Sequence, residues 1–284
     1  MSVEIIISKN NILSNPETKD FLADVFYPKV DHQLPLIIFV HGYKGYKDWG
    51  AWDLMAEKFA EAGFYFVKFN FSHNGTTVQN PESFEDLDAF GNNNYSKELS
   101  DLSFVLEHFI RQPQVNHEKI ILIGHSRGGG ISLVKTSEDT RINGLITLAS
   151  VDSLARFPKD EALENWKKNG VYYVENGRTK QQMPHYYQFF EDFQLNELRF
   201  DVERAAETAK AHFLVVHGTN DESVSVKNAE HLRFLNPNSE LFLIENANHT
   251  FGASEPWEDT ELPADLNTAV EKAIEFIKEK VVND

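Results

Sequence analysis

Short, continuous apolar runs alternate along this chain with stretches of helical period. Residues 3–8 and 21–27 carry an apolar and aromatic pattern on either side of the turn-rich stretch 10–20, which predicts an antiparallel strand pair at the start. Residues 35–40 are apolar without a break and end at His41-Gly42, the signature of a strand buried on both faces. Helical spacing follows over 49–62 (Trp52, Met55, Phe59), then a strand over 64–71 and a helix over 95–110 with Leu99, Leu102, Val105, Leu106 and Phe109 on one face. Strands are expected at 119–123, 142–149, 213–217 and 241–244. Helices are expected from about Gly130, over 226–235 and over 266–281.

Strands that alternate with helices in this way build an α/β domain with a mostly parallel sheet covered on both faces, and ligands then bind beyond the carboxyl ends of the strands. His41, Ser126, Asp152, Asp221 and His249 all fall just past a predicted strand end. The segment 151–211 breaks the alternation. It is rich in aromatic residues and contains a hairpin signal, Asn176-Gly177, between 171–175 and 179–183. The expected organisation is a core of 1–150 and 212–284 with 151–211 inserted as a cap over the strand ends. Trp166, Tyr172 and Tyr186 are the candidate substrate-facing residues of that cap, while the other aromatics fix it to the body.

Composition narrows the function. At 284 residues, 41% of them hydrophobic, the chain suits one large domain with an insertion. It has no cysteine, which excludes disulfides, thiolate chemistry and cysteine-bound zinc. The net charge of −17 argues against nucleic acid or an anionic membrane as partner. No basic and apolar leader opens the sequence, and its longest apolar run, 34–40, is too short to span a bilayer, so a soluble cytoplasmic protein is expected.

The chemistry centres on Gly124-His125-Ser126-Arg127-Gly128-Gly129, between a predicted strand and a predicted helix. In that context Gly-x-Ser-x-Gly reads as a nucleophile elbow. The turn lifts a serine hydroxyl out of the sheet, and glycines flank it because a Cβ there would strike the neighbouring strand or helix. A serine hydroxyl needs a base, and the base needs a carboxylate to orient it. Asp221 follows the strand at 213–217 and His249 follows the one at 241–244, giving the order Ser126, Asp221, His249. Asp152 is the alternative acid. Glu222 is adjacent to Asp221 but points elsewhere, and His125 and His217 read as structural. Two backbone N–H groups should form the oxyanion hole, those of Arg127 and of Tyr43 in the loop after the early strand.

On these residues the chain resembles the α/β-hydrolase superfamily over nearly its whole length. Within it, the chain is similar to small bacterial cinnamoyl/feruloyl esterases and dienelactone hydrolase-like proteins, through His41-Gly42 with a bulky next residue, Gly-His-Ser-x-Gly-Gly and a hairpin-bearing cap. The resemblance implies an α/β-hydrolase fold and a serine carboxylesterase acting on short-chain or aromatic acyl esters, with a small-molecule ester as partner and no cofactor or metal. The absence of a His-Gly-Gly-Gly loop speaks against bulky tertiary-alcohol esters. Serine in place of aspartate at the elbow speaks against haloalkane dehalogenase and epoxide hydrolase chemistry. A peptidase or amidase and a non-catalytic binding module stay open, as does a homodimer built through the cap.

Overall fold

The computed structural model describes residues 3–283. Among them, eight strands form one sheet in the order β1 (Ile5–Leu13), β2 (Phe21–Pro28), β4 (Tyr65–Phe69), β3 (Leu34–Val40), β5 (Val115–His125), β6 (Ile142–Leu148), β9 (His212–Gly218) and β10 (Glu240–Ile244). β1 and β2, and β2 and β4, pair antiparallel, and every pair from β4 to β10 is parallel.

The period-two geometry of a strand explains why the central runs are apolar throughout: alternate residues enter two different cores. Leu36, Ile38 and Val40 of β3, with Ile120 and Leu122 of β5, pack against α3 (Tyr95–Phe109), α4 (Arg127–Glu138), α7 (Val202–Thr208) and α8 (Val226–Leu235). Ile37, Phe39, Ile121 and Ile123 face the other way, onto α1 (Trp52–Glu61) and α9 (Ala264–Ile277).

Three expectations are corrected. β1 does not end before Asn10 but continues to Leu13. The register shifts between Ser8 and Asn11, where Asn10 takes φ 58°. Its N–H donates to Asp24 Oδ1 at 2.7 Å, so the polar pair Asn10-Asn11 marks a bulge and not a turn. α4 starts at Arg127, directly after Ser126, rather than at Gly130. The hairpin expected over 171–183 consists of β7 (Val171–Glu175) and β8 (Gln182–Tyr186), the second strand starting at Gln182 and not at Thr179, so the connecting loop is longer than expected. Asn176 N–H donates to Gln181 O at 2.8 Å, Asn176 Oδ1 accepts from Arg178 N–H at 3.0 Å, and Lys180, not Gly177, adopts the left-handed conformation at φ 61°.

Residues 151–211 also contain α5 (Asp160–Asn169), α6 (Gln188–Leu195) and α7; α7 covers the sheet beside α4 with Val202, Ala205 and Ala206, while the stretch before it meets the body through aromatic contacts. Tyr95 of α3 meets Phe189 and Phe200 edge-on, at centroid distances of 4.8 and 5.5 Å, and its hydroxyl donates to Leu154 O at 2.9 Å. Phe157 packs on Phe193 at 4.9 Å.

A buried ion network fixes the loop that follows β3. Lys68 on β4 and Lys47 each place Nζ 2.8 Å from Asp24 Oδ2 of β2, and Asp48 joins both lysines. Burial opposes the charge on Lys68, but Asp24, Asp48 and Asp53 outweigh it and raise its pKa. The backbone N–H of Lys47 donates to Asn70 Oδ1 at 2.6 Å, which ties the loop to the end of β4.

Candidate active site

The carboxyl ends of β3, β5, β9 and β10 converge on Ser126. Ser126 sits between β5 and α4 at φ 55°, ψ −121°, a conformation that side chains rarely adopt. Its N–H donates to Leu148 O at 2.9 Å, and the close approach of three backbones leaves no room for side chains around it. A Cβ on Gly124 would lie 2.4 Å from Gly128 O, and one on Gly128 would lie 2.3 Å from Val40 O.

Asp221 lies beyond β9, and its two oxygens have separate partners. Oδ1 accepts from the N–H groups of Ser223 and Val224, both at 2.8 Å. Oδ2 is 2.7 Å from His249 Nδ1 and 3.2 Å from His217 Nε2. Burial alone would raise this carboxyl's pKa, but the hydrogen bonds from His217, His249 and Val224 prevail and hold it well below the usual range. His249 follows β10 in a loop pinned by its own backbone: Asn220 N–H donates to Ala247 O and Thr219 N–H to Ile244 O, both at 3.0 Å. This leaves His249 Nε2 3.0 Å from Ser126 Oγ. Ser126, His249 and Asp221 thus form one continuous hydrogen-bonded chain.

Asp152, the alternative acid, is turned away and bonds Asn228 and His231. His217 is fully buried and donates from Nε2 to Val224 O at 2.9 Å. His125 is buried and donates from Nε2 to His249 O at 3.0 Å.

The backbone N–H of Arg127 opens α4, where no partner four residues back exists. Neither it nor the N–H of Tyr43 donates a hydrogen bond among the described residues. The loop carrying Tyr43 reaches the elbow itself, since a Cβ on Gly42 would lie 2.9 Å from Ser126 Cβ. The arrangement suits a reaction that develops negative charge beside Ser126.

Two cavities meet at Ser126. The larger, about 450 Å³, runs under residues 151–211 and is lined by Tyr95, Phe157, Tyr172, His185 and Phe189 among others. The smaller, about 200 Å³, is lined by Trp49, Trp52, His125, His249 and Thr250 beside the loop after β3. Of the three cap residues singled out from the sequence, Tyr172 lines the larger cavity and stacks on His185 at 4.8 Å. Trp166 is buried behind it, donating Nε1–H to His185 O at 2.8 Å, and is not on the wall. Tyr186 points outward and donates to Asp88 at 2.9 Å.

Sequence reasoning missed His185 and the side chain of Arg127. His185 Nε2 lies 2.7 Å from Tyr43 Oη, and burial lowers its pKa to about 3, so the ring is neutral. Arg127 bonds Glu98 at 2.6 Å and lies over the rings of Tyr43 and Tyr95. Burial raises the pKa of Glu98 against the pull of Arg127. The arginine follows Ser126 directly, so its place at the wall was available from the motif.

A family model described as the prolyl oligopeptidase family matches residues 52–263. No curated protein sequence matches the chain. Among solved structures, Est1E from Butyrivibrio proteoclasticus with ferulic acid bound is 18% identical with a TM-score of 0.74, over 96% of this chain and 99% of that one. The esterase domain of a Rhodothermus marinus protein is 16% identical with a TM-score of 0.66, over 98% and 99%. The acylaminoacyl peptidase of Pyrococcus horikoshii is 14% identical with a TM-score of 0.65, over 99% of this chain but 42% of that one. At such identities the likeness shows the fold, which is that of the α/β-hydrolases.

Proposed function

Because the chain belongs to the prolyl oligopeptidase family, and is accordingly a serine hydrolase, we propose that it is a carboxylesterase working through Ser126, His249 and Asp221. The observation that carries this reading is the hydrogen-bonded chain of these three side chains, with a cavity on either side of the serine hydroxyl. His249 Nε2 takes the Ser126 proton as Oγ attacks the ester carbonyl. Asp221, held ionised, keeps His249 in the tautomer with Nδ1–H and stabilises the imidazolium that forms. The N–H groups of Tyr43 and Arg127 receive the oxyanion. His249 then protonates the leaving alkoxide, and water releases the acyl group from Ser126 by the same steps.

The two cavities divide the ester between them. His249 lines both, and in this reading the small alcohol takes the smaller one, beside Thr250. The acyl group enters the larger one, beneath residues 151–211 acting as a cap. A volume of about 450 Å³ suits a short or aromatic acyl group better than a long lipid chain. The family match favours a second reading, cleavage of an amide bond in a peptide.

Intact-mass measurement after treatment with a fluorophosphonate tests the nucleophile: one adduct on the native protein and none on Ser126→Ala is the expected result. A panel of aryl esters and the matching acyl arylamides then separates the two reactions. Faster turnover of the arylamides, or of long-chain triglycerides, refutes the esterase reading.

A further inference from the structure

We propose that the larger cavity takes an acyl group ending in a carboxylate, bound by Lys44 and Arg156. This rests on the esterase reading and specifies its substrate. The charge of the wall is the main observation. The protein as a whole carries −17, yet the residues lining this cavity include Lys44, Arg127 and Arg156 and no aspartate or glutamate. Cations on a wall that carries no acidic side chain concentrate a positive field where a ligand sits.

The three cations differ in what holds them. Arg127 is committed to Glu98 behind the wall. Lys44 has no carboxylate partner among the described residues: its Nζ lies 3.4 Å from the carbonyl oxygen of Glu175 and 5.1 Å from the centre of the Tyr43 ring. Arg156 likewise forms no ion pair among the described residues and stands exposed at the edge of the cavity. Partial burial lowers the Lys44 pKa, and this half-buried cation faces the cavity with no carboxylate beside it among the described residues. After burial itself, Arg127 and Lys44 are what keep His185 unprotonated, so the field reaches the middle of the wall. An anionic acyl terminus supplies the missing partner, while Tyr172 and Phe189 cover the chain between it and the ester.

The test compares methyl hydrogen adipate with methyl hexanoate, two methyl esters of the same acyl length, by titrating the acid released. The expected result is a preference in kcat/KM for the adipate half-ester that weakens with added salt. That ratio should fall about tenfold in Lys44→Gln and again in Arg156→Gln, as expected for loss of one hydrogen bond to a charged group. Lys168→Gln, an exposed lysine away from the cavity, keeps the native ratio. A native ratio of one or below, or a ratio that does not change in either variant, overturns the proposal. So does a preference for esters with the carboxylate on the alcohol. Calorimetric titration of methyl hydrogen adipate into Ser126→Ala reads the same site without turnover. The affinity should drop about tenfold when Lys44→Gln is added, and no binding, or no drop, overturns the proposal. If the native protein hydrolyses neither ester, the esterase reading fails, and the calorimetry still decides the anion site.

Discussion

The imidazole of His125 donates a 3.0 Å hydrogen bond to the backbone carbonyl oxygen of His249. The residue before Ser126 therefore holds the main chain of the residue that faces Ser126, and the elbow and the histidine loop move as one unit. His125→Ala is expected to lower kcat about 10²-fold with little change in KM, because a small misplacement of a reacting group is costly. His125→Gln, which keeps a donor, should recover part of the loss. Steady-state kinetics decide this, and a native kcat in His125→Ala would mean that the loop positions His249 unaided.

Asp221 and Asp152 make opposite predictions. Asp221→Asn should lower kcat by about 10⁴, since its Oδ2 is what sets the His249 tautomer. Asp152→Asn should stay within about threefold of native, because its carboxylate bonds Asn228 and His231 and not His249. Equal losses in the two variants would show that the wrong carboxylate has been placed in the site.

Ser126 holds a strained backbone at φ 55° in the folded protein. Ser126→Gly, which relieves that strain, is expected to stabilise the fold by about 1 kcal/mol, a rise of about 2 °C in Tm, while abolishing turnover. Gly128→Ala should do the reverse and lower Tm sharply, because its Cβ would sit 2.3 Å from Val40 O. Thermal unfolding of the two variants beside the native protein is the measurement.

Acid should destabilise this protein early. Burial lowers His41 and His73 to about 4, and His125 and His185 to about 3, while an unfolded histidine titrates near 6.5. The unfolded chain therefore binds more protons than the native one, and stability present above pH 6.5 is lost as pH falls towards 4. Asp101 acts in the opposite sense over the same range. Burial raises it to about 6 against the hydrogen bonds of Ser72, Thr18 and Asn15, so its contribution is present below the unfolded value and lost as pH rises to 6. Taken together, these five groups account for an uptake of about three protons near pH 5, or about 4 kcal/mol per pH unit, which the raised carboxyls of Glu57 and Glu98 reduce. Urea unfolding at a series of pH values reads this slope, and an uptake below one proton would contradict the neutral histidines.

The pattern of apolar runs was enough to locate the central strands along the chain, because each run is buried on both faces and has no other use; their order in the sheet comes from the structure alone. It also set Ser126, Asp221 and His249 beside strand ends, where the structure brings them within hydrogen-bonding distance of one another. Residues 151–211 were less legible, for a reason of register. With β8 starting at Gln182, Tyr172 pairs with His185 and shares its face, so it reaches the cavity, whereas Tyr186 falls on the opposite face. Asn176-Gly177 gave no sign of that offset. Trp166 is the one buried residue of α5, which fits a side chain that anchors its helix and not one that meets a ligand. His185, Lys44 and Arg156 line one cavity although they lie far apart in the chain, and such long-range pairings leave no local trace in a sequence.

Tyr95 of α3 lines the larger cavity and is also the ring against which Phe189 and Phe200 pack. The same aromatic surface therefore shapes the cavity and holds α6 and Phe200 against α3. A mutation that widens the cavity at Tyr95 or Phe189 also loosens the joint, so variation towards new acyl groups should collect at Lys44 and Arg156 instead. An engineer seeking altered selectivity has the freest choice at the rim, and a random library should return its folded, active members there.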